Sequence, residues 1–439
     1  MGDWNSPATD LGFDTLRQSI ARVWAKRVRC QSVWANRHAG SKRRLDRVRG
    51  IKFYEFGDFE MNSVQVALRC LAVALLVLGW QLSPTMGQRG GGSTKPYVII
   101  DLPGPYHQAD GNYSYVRAEV IGDPSPDGIV NILGAEMNAG EPILWRIDAA
   151  RNVSTFDLSL LVGSAYDVNS AGVIAAKLDG RPVLLLSDFT RIELAGGTNT
   201  GYVHGLSNPN TAGVFRVVGS VETEASEPRT VVWNVASNGT ILSERELRSA
   251  DGLPFHAQDV NDSGVMAGIQ VVDGIPVAAR GILDGMGNLQ LTFLANPDPS
   301  EIVGYWGMQI DSAGNVLGFG YQNSPNWPYA TWSRAVIWPA AGPVVDLGTK
   351  SGITSTEGNG IATVNGVMQV IGRAEDDGRA AFAYRYMDGK LQDLNTLASG
   401  DQPWSLQIGG GVNRAGVICG QGRVGRKSVQ WHGFLLWPR

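Results

Sequence analysis

Six residues carry the side chains best suited to proton transfer or to gripping a ligand: His256, Trp306, Tyr321, Trp327, Tyr329 and Glu357. Three of them emerge from spacing. When the chain is aligned on the residue equivalent to Val168, the position four before it is Ser164, Tyr202, His256, Trp306 and Glu357 in successive copies. Strand alternation would set these five around one mouth. His256 and Glu357 then form a candidate acid/base pair or a polar-ligand site, with Glu119 as a second carboxylate. The plain alternative is a solvated lining without chemistry. The other aromatics belong to an unusual insertion. From Gly314 to Trp338 the gap is 24 residues, and its extra length is Tyr321-Gln-Asn-Ser-Pro-Asn-Trp-Pro-Tyr329. Pro325 and Pro328 stiffen Trp327 and Tyr329. Rigid rings on a surface loop suit a sugar face or a partner protein; the alternative is that they fold back onto a sheet edge.

Other chemistries find little support. There are five His, and no Ser-His-Asp arrangement or metal-spaced cluster. Asp259-Val-Asn-Asp-Ser-Gly264 has the oxygen side chains of the first half of a calcium loop, but its twelfth position is Gln270. The loop opening at Asp167 has Leu178 there. Neither supplies the bidentate carboxylate that calcium loops use. Both read as β-turns in which Asn or Asp bonds its own backbone and Gly takes positive φ. No catalytic residue, metal or cofactor is assigned.

The elements that position these residues follow from a repeat. Asp167-Val-Asn-Ser-Ala-Gly-Val173, Asp259-Val-Asn-Asp-Ser-Gly-Val265, Ile310-Asp-Ser-Ala-Gly-Asn-Val316 and Val412-Asn-Arg-Ala-Gly-Val417 are clear copies of one turn, with looser ones ending at Gly128, Gly213 and Gly366. The seven glycines are spaced by 44, 41, 51, 50, 52 and 50 residues. In each unit an apolar segment precedes the turn and an apolar strand follows it. A third strand often carries an aromatic (Trp145, Trp233, Trp338), and a fourth often ends in Asp-Leu. Four short strands in ~40–50 residues make one propeller blade. Helical periodicity is nearly absent after Gly90, and Gly makes up 56 of 439 residues, as many tight turns require. The seventh unit lacks a fourth strand, while Tyr97-Val-Ile-Ile-Asp-Leu102 resembles Val344-Val-Asp-Leu347. The expected fold is all-β: a β-propeller of seven four-stranded blades over 97–439, closed by the N-terminal strand so that free sheet edges vanish.

The segment before the ring differs in kind. Residues 1–60 are basic, with ten Lys and Arg between Arg22 and Arg49. From Met61 the pattern becomes Arg69, the apolar run 70–80, then Thr85-Met-Gly87. That is the order of a secretory signal peptide, and the core is short for a membrane span. The expectation is a start at Met61 with 1–60 an over-extended frame, a signal peptide over 61–87, and a Gly-rich linker over 88–96. A basic cytoplasmic tail and an uncleaved anchor are the alternatives. Residues 88–439 hold 24 basic and 34 acidic side chains, a net charge of −10, which argues against a nucleic-acid partner. Only Cys419 of three Cys lies in this part, so no disulfide forms within it.

The repeats resemble those of the extracellular HAF-repeat proteins. The matching pieces are Asp259-Val-Asn-Asp-Ser-Gly-Val-Met-Ala-Gly268, Ala381-Phe-Ala-Tyr384, His432-Gly-Phe-Leu-Leu-Trp437, Asp346-Leu-Gly-Thr349 and Asp393-Leu-Asn-Thr-Leu397. They are clearest over 305–439. The resemblance implies secretion and a propeller-like fold, and it implies no activity. The resulting expectation is a monomeric binding or scaffolding module, secreted, periplasmic or in the cell envelope, with a glycan or envelope protein as partner. Alternatives are an extracellular glycan hydrolase or lyase working at the channel mouth, and a purely structural envelope protein.

Overall fold

The computed structural model describes residues 95–104, 115–136, 140–194, 200–222, 228–298, 302–322, 333–348, 353–376, 381–425 and 431–439. The basic segment, the signal segment and most of the linker lie outside the described residues, as do Trp327 and Tyr329. Within them, no helix is long and apolar enough to cross a membrane.

The recurring turn is built from one side chain. Asn169 Oδ1 accepts the N–H groups of Ala171 and Val173 at 3.1 Å. Asn261, Asp311 and Asn413 do the same in their own turns. The glycine N–H returns to the carbonyl of that Asn or Asp, and the glycine takes a φ of +72° to +87°, where a side chain is disfavoured. The stretch with calcium-loop spacing is therefore a turn. The free amide then reaches the next sheet: Asn169 Nδ2 to Ser207 O at 3.0 Å, Asn261 Nδ2 to Asp311 O at 2.9 Å and Asn413 Nδ2 to Gly122 O at 3.0 Å. One residue type both folds the hairpin and stitches neighbouring blades.

Seven antiparallel sheets result. Blades 1 to 6 span 116–157, 164–193, 200–246, 255–293, 302–346 and 353–393, and blade 7 combines 404–438 with the N-terminal strand. The first strand of each blade touches the first strand of the next, and the seventh returns to the first, so the inner strands ring a channel. Tyr97–Leu102 pairs antiparallel with Trp431–Pro438, from Tyr97↔Pro438 to Leu102↔Gly433. The expected closure is thus the observed one. Blade 7 departs from four strands: a four-residue helix, Leu394–Leu397, capped by Asp393, drops Ala398–Ser399 beside Tyr97–Leu102 as a short parallel fifth strand. Lys95 Nζ clamps this clasp by donating to Asn395 O and Ala398 O at 3.0 and 2.9 Å.

The core is divided among the seven blade interfaces, one apolar cluster at each. Every blade adds a buried leucine where its outer strand ends: Leu158, Leu194, Leu247, Leu294, Leu347, Leu394 and Leu102. Burying such a side chain contributes about 2 kcal/mol.

One further pattern positions the channel residues. Each inner strand carries a β-bulge facing the second strand. In six blades a glycine of the second strand lies against it: Gly134, Gly219, Gly268, Gly318, Gly372 and Gly420. A Cβ there would strike the carbonyl of Arg117, Tyr202, His256, Trp306, Glu357 or Ile408 respectively. In five blades the third-strand aromatic packs on the same glycine, as with Trp145 over Gly134 and Trp338 over Gly318. A bulge inserts one residue and turns the strand's later side chains.

Candidate functional site

The channel has two ends with different chemistry. At the end formed by the Asn-Gly turns, Arg414 of blade 7 closes the opening. Its Nε lies 2.7 Å from Asp123 Oδ2 and its Nη1 3.0 Å from Asp262 Oδ2. Asn208 Nδ2 donates to Asp123 Oδ2 at 2.9 Å, and Asn208 N donates to Asp262 Oδ1 at 2.9 Å. Blades 1, 3, 4 and 7 are thereby tied across the axis. The same end bounds a cavity of about 130 Å³ whose wall includes Asp167 and Asp259.

These two carboxylates are partly buried. Asp167 accepts from Val168 N and, in blade 3, from Leu206 N, both at 2.8 Å. Asp259 accepts from Val260 N at 2.7 Å and, in blade 5, from Ile310 N at 2.9 Å. Burial pushes Asp167 up to about 7 against the pull of those N–H donors, with Asp123 adding to the rise. Burial and then the Asp167 charge raise Asp259 well above the usual carboxylate range. Each acts as a cross-blade clamp.

The other end, where blade-to-blade connections enter, gathers a connected group from blades 2, 3 and 4. Tyr202, 45 % exposed, is its centre. Lys177 Nζ sits 3.5 Å above the Tyr202 ring, a cation–π contact. Tyr166 meets that ring edge-on at 6.4 Å, and His204 stacks at 6.3 Å with 12° between planes. His204 is partly buried; burial, helped by His256 nearby, pulls it down to about 4. Burial lowers His256 as well, and Thr230 Oγ1 lies 3.4 Å from His256 Nδ1. Both imidazoles are therefore neutral near pH 7, each with one donor and one acceptor. Burial raises the Tyr166 hydroxyl, which stays protonated.

The residues singled out from the sequence fall in different places. His256 joins this group. Trp306 stacks on Phe319 at 5.9 Å within blade 5. Glu357 belongs to blade 6, where Arg373 Nη1 lies 3.8 Å away and Arg373 also pairs with Glu375. Glu119 is held by Arg117 in blade 1 at 3.2 Å. Tyr321 is a residue of the second strand of blade 5, Val316–Gln322, on its approach to the connection end; its side chain is outside the description. Tyr166, His204 and Lys177 were not singled out. The first two sit at bulges, which simple alternation passes over, and the third is on a second strand. In blade 3 the bulge had a signal, Gly219 on the neighbouring strand, whereas blade 2 has Ala176 at that place.

Among the described residues no three or more His, Cys, Asp or Glu side chains are placed to hold a metal. No protein-family model matches the chain, and no curated protein matches it. The likeness to HAF-repeat proteins therefore rests on the repeat motifs alone. Among solved structures, acylaminoacyl peptidase of Pyrococcus horikoshii aligns at 13% identity and a TM-score of 0.43, covering 73% of this chain and 51% of the other. The β-propeller domain of the Trilobed protease from Pyrococcus furiosus aligns at 11% identity and 0.43, covering 73% and 95%. Trypanosoma rangeli sialidase aligns at 12% identity and 0.37, covering 79% and 59%. The chain thus spans about half the length of the peptidase. These likenesses are of fold.

Proposed function

We propose that the protein is a secreted binding module that holds a glycan at the connection end of its channel. The observation that carries this reading is the setting of Tyr202: an aromatic ring almost half exposed, walled by Tyr166, an ammonium group and the His204 imidazole, with His256 beside His204. An apolar surface bordered by a few fixed polar groups is the usual make-up of a small-molecule site. A sugar offers both halves of the match, C–H faces for the ring and hydroxyls for the neutral imidazoles. Because six polar or aromatic side chains come from three consecutive blades, the site is set by the ring itself.

The acid/base alternative draws less support. Glu357 and Glu119 stand beside arginines in blades 6 and 1, whereas His256 is in blade 4. A hydrolase of the two-carboxylate kind needs both groups flanking one bond. Secretion belongs to the same proposal and rests on the pattern over 61–87. A glycan array probed with the full chain and with Tyr202→Ala tests the reading. Saturable binding lost in the variant is the expected result; binding that survives Tyr202→Ala unchanged overturns it.

A further inference from the structure

The cations near the connection end are not equivalent. Arg117 has Glu119 at 3.2 Å, and Arg373 has Glu357 and Glu375. Lys177 has no carboxylate partner among the described residues, and its ammonium rests on the Tyr202 ring. Its place is fixed by the strand pairing. Lys177 stands opposite Ser164, and its carbonyl accepts the Gly163 N–H at 2.9 Å. The backbone therefore holds the side chain's root at the seam between blades 2 and 3, and the chain's head lies over the one half-exposed ring of the group.

An ammonium group has three donors and no acceptor. On a ring face it keeps donors free for an incoming anion, while the ring cannot neutralise it. Ser164 stands opposite Lys177 and Tyr166 and His204 meet the same ring, with His256 and Thr230 next beyond His204. This set asks for one anionic acceptor together with several hydroxyls. A long polyanion is disfavoured by the net charge of −10 over residues 88–439.

Building on the glycan reading above, we infer that the ligand is a sugar carrying an anionic substituent, a carboxylate or a sulfate, which Lys177 binds while the sugar ring lies along Tyr202. A charge-assisted hydrogen bond contributes about 1.5–3 kcal/mol, so the anionic sugar binds on the order of tenfold or more tighter than its neutral counterpart.

The test uses the full chain on an array carrying uronate oligosaccharides, their methyl esters, sulfated oligosaccharides and unmodified neutral ones. The variants are Lys177→Met and Lys177→Arg. The expected result is preference for a charged class over its uncharged match. Lys177→Met removes the preference, Lys177→Arg keeps it, and 0.5 M salt weakens it. Uronate and sulfate arms separate the two sources of charge. Equal binding of acids and esters, or a preference that Lys177→Met leaves intact, overturns the inference while the glycan reading stands. Absence of binding to any member of the array overturns both.

Discussion

Opposed titrations inside the channel wall lead to a specific dependence of stability on pH. Asp167 moves from 3.8 in the unfolded chain to about 7 in the folded one. Between those values the folded protein keeps a proton that the unfolded chain has released. Stability from this source is present below pH 3.8 and lost as the pH rises to about 7; at ~1.36 kcal/mol for each pH unit it amounts to about 4 kcal/mol. His204 works the other way. It moves from 6.5 down to about 4, so the unfolded chain takes up a proton where the folded one does not. That contribution is present above pH 6.5 and lost as the pH falls to about 4, about 3 kcal/mol in all. Asp259 shares the sign of Asp167, and His256 that of His204. The exposed carboxylates Asp148, Asp188, Asp251 and Asp284 are lowered by hydrogen bonds and titrate beneath this window.

The falling and rising contributions oppose one another, so the urea midpoint of the natural chain is expected to change less from pH 4.5 to 6.5 than it would with either kind alone. Asp167→Asn removes one falling contribution and, by deleting a neighbouring charge, weakens that of Asp259. Relative to the natural chain, its stability should climb with pH by about 3 kcal/mol across the window. His204→Gln should fall by a similar amount. An amide accepts only one of the two N–H bonds that Asp167 accepts, so the variant starts from a lower baseline; the slope is the readout. Urea titrations followed by tryptophan fluorescence at five pH values suffice. If Asp167→Asn runs parallel to the natural chain, or both variants tilt the same way, the electrostatic account of the channel wall is wrong.

Two further expectations follow from close packing and from charge. Gly318→Ala drives a Cβ into the Trp306 carbonyl and to 3.0 Å from Trp338 Cζ3, which should cost about 3 kcal/mol or more. Gly366→Ala, at φ +80° with nothing within 4 Å, should cost only about 1 kcal/mol; equal urea midpoints for the two would refute the bulge account. Arg414→Ala, at a half-exposed network, should destabilise by about 1 kcal/mol at low salt, with the difference shrinking in 1 M salt. A salt-independent difference would mean that Arg414 acts by packing.

How far the molecule could be read from its residues depends on the range of the interaction that decides each feature. The turn is local: Asn169 or Asn261 bonds to groups two and four residues away, so its recurrence announces the blades, although at Gly366 the hairpin closes instead through Val364↔Val367. Ring closure is remote, yet it was legible because Tyr97–Leu102 repeats the pattern of an outer strand that the last unit lacks. The channel was read only in part. Counting back four residues from Val260 reaches His256, because every inner strand carries its bulge at a similar place. The same count passes over His204, the inserted residue itself, and no alternation rule can return a residue whose defining property is to break alternation. The clue lay on the neighbouring strand: Gly219, Gly268 and Gly318 are small because a bulged carbonyl presses on them. Lys177 and Arg414 were beyond any such count. What gives each its meaning is a partner one or several blades away, Tyr202 for the lysine and Asp123 with Asp262 for the arginine. Those distances exist only after the ring has closed. A propeller can therefore keep its repeat while its rim changes: the repeat residues answer to their own blade, and the rim residues answer to whichever blades the closed ring sets beside or across from them.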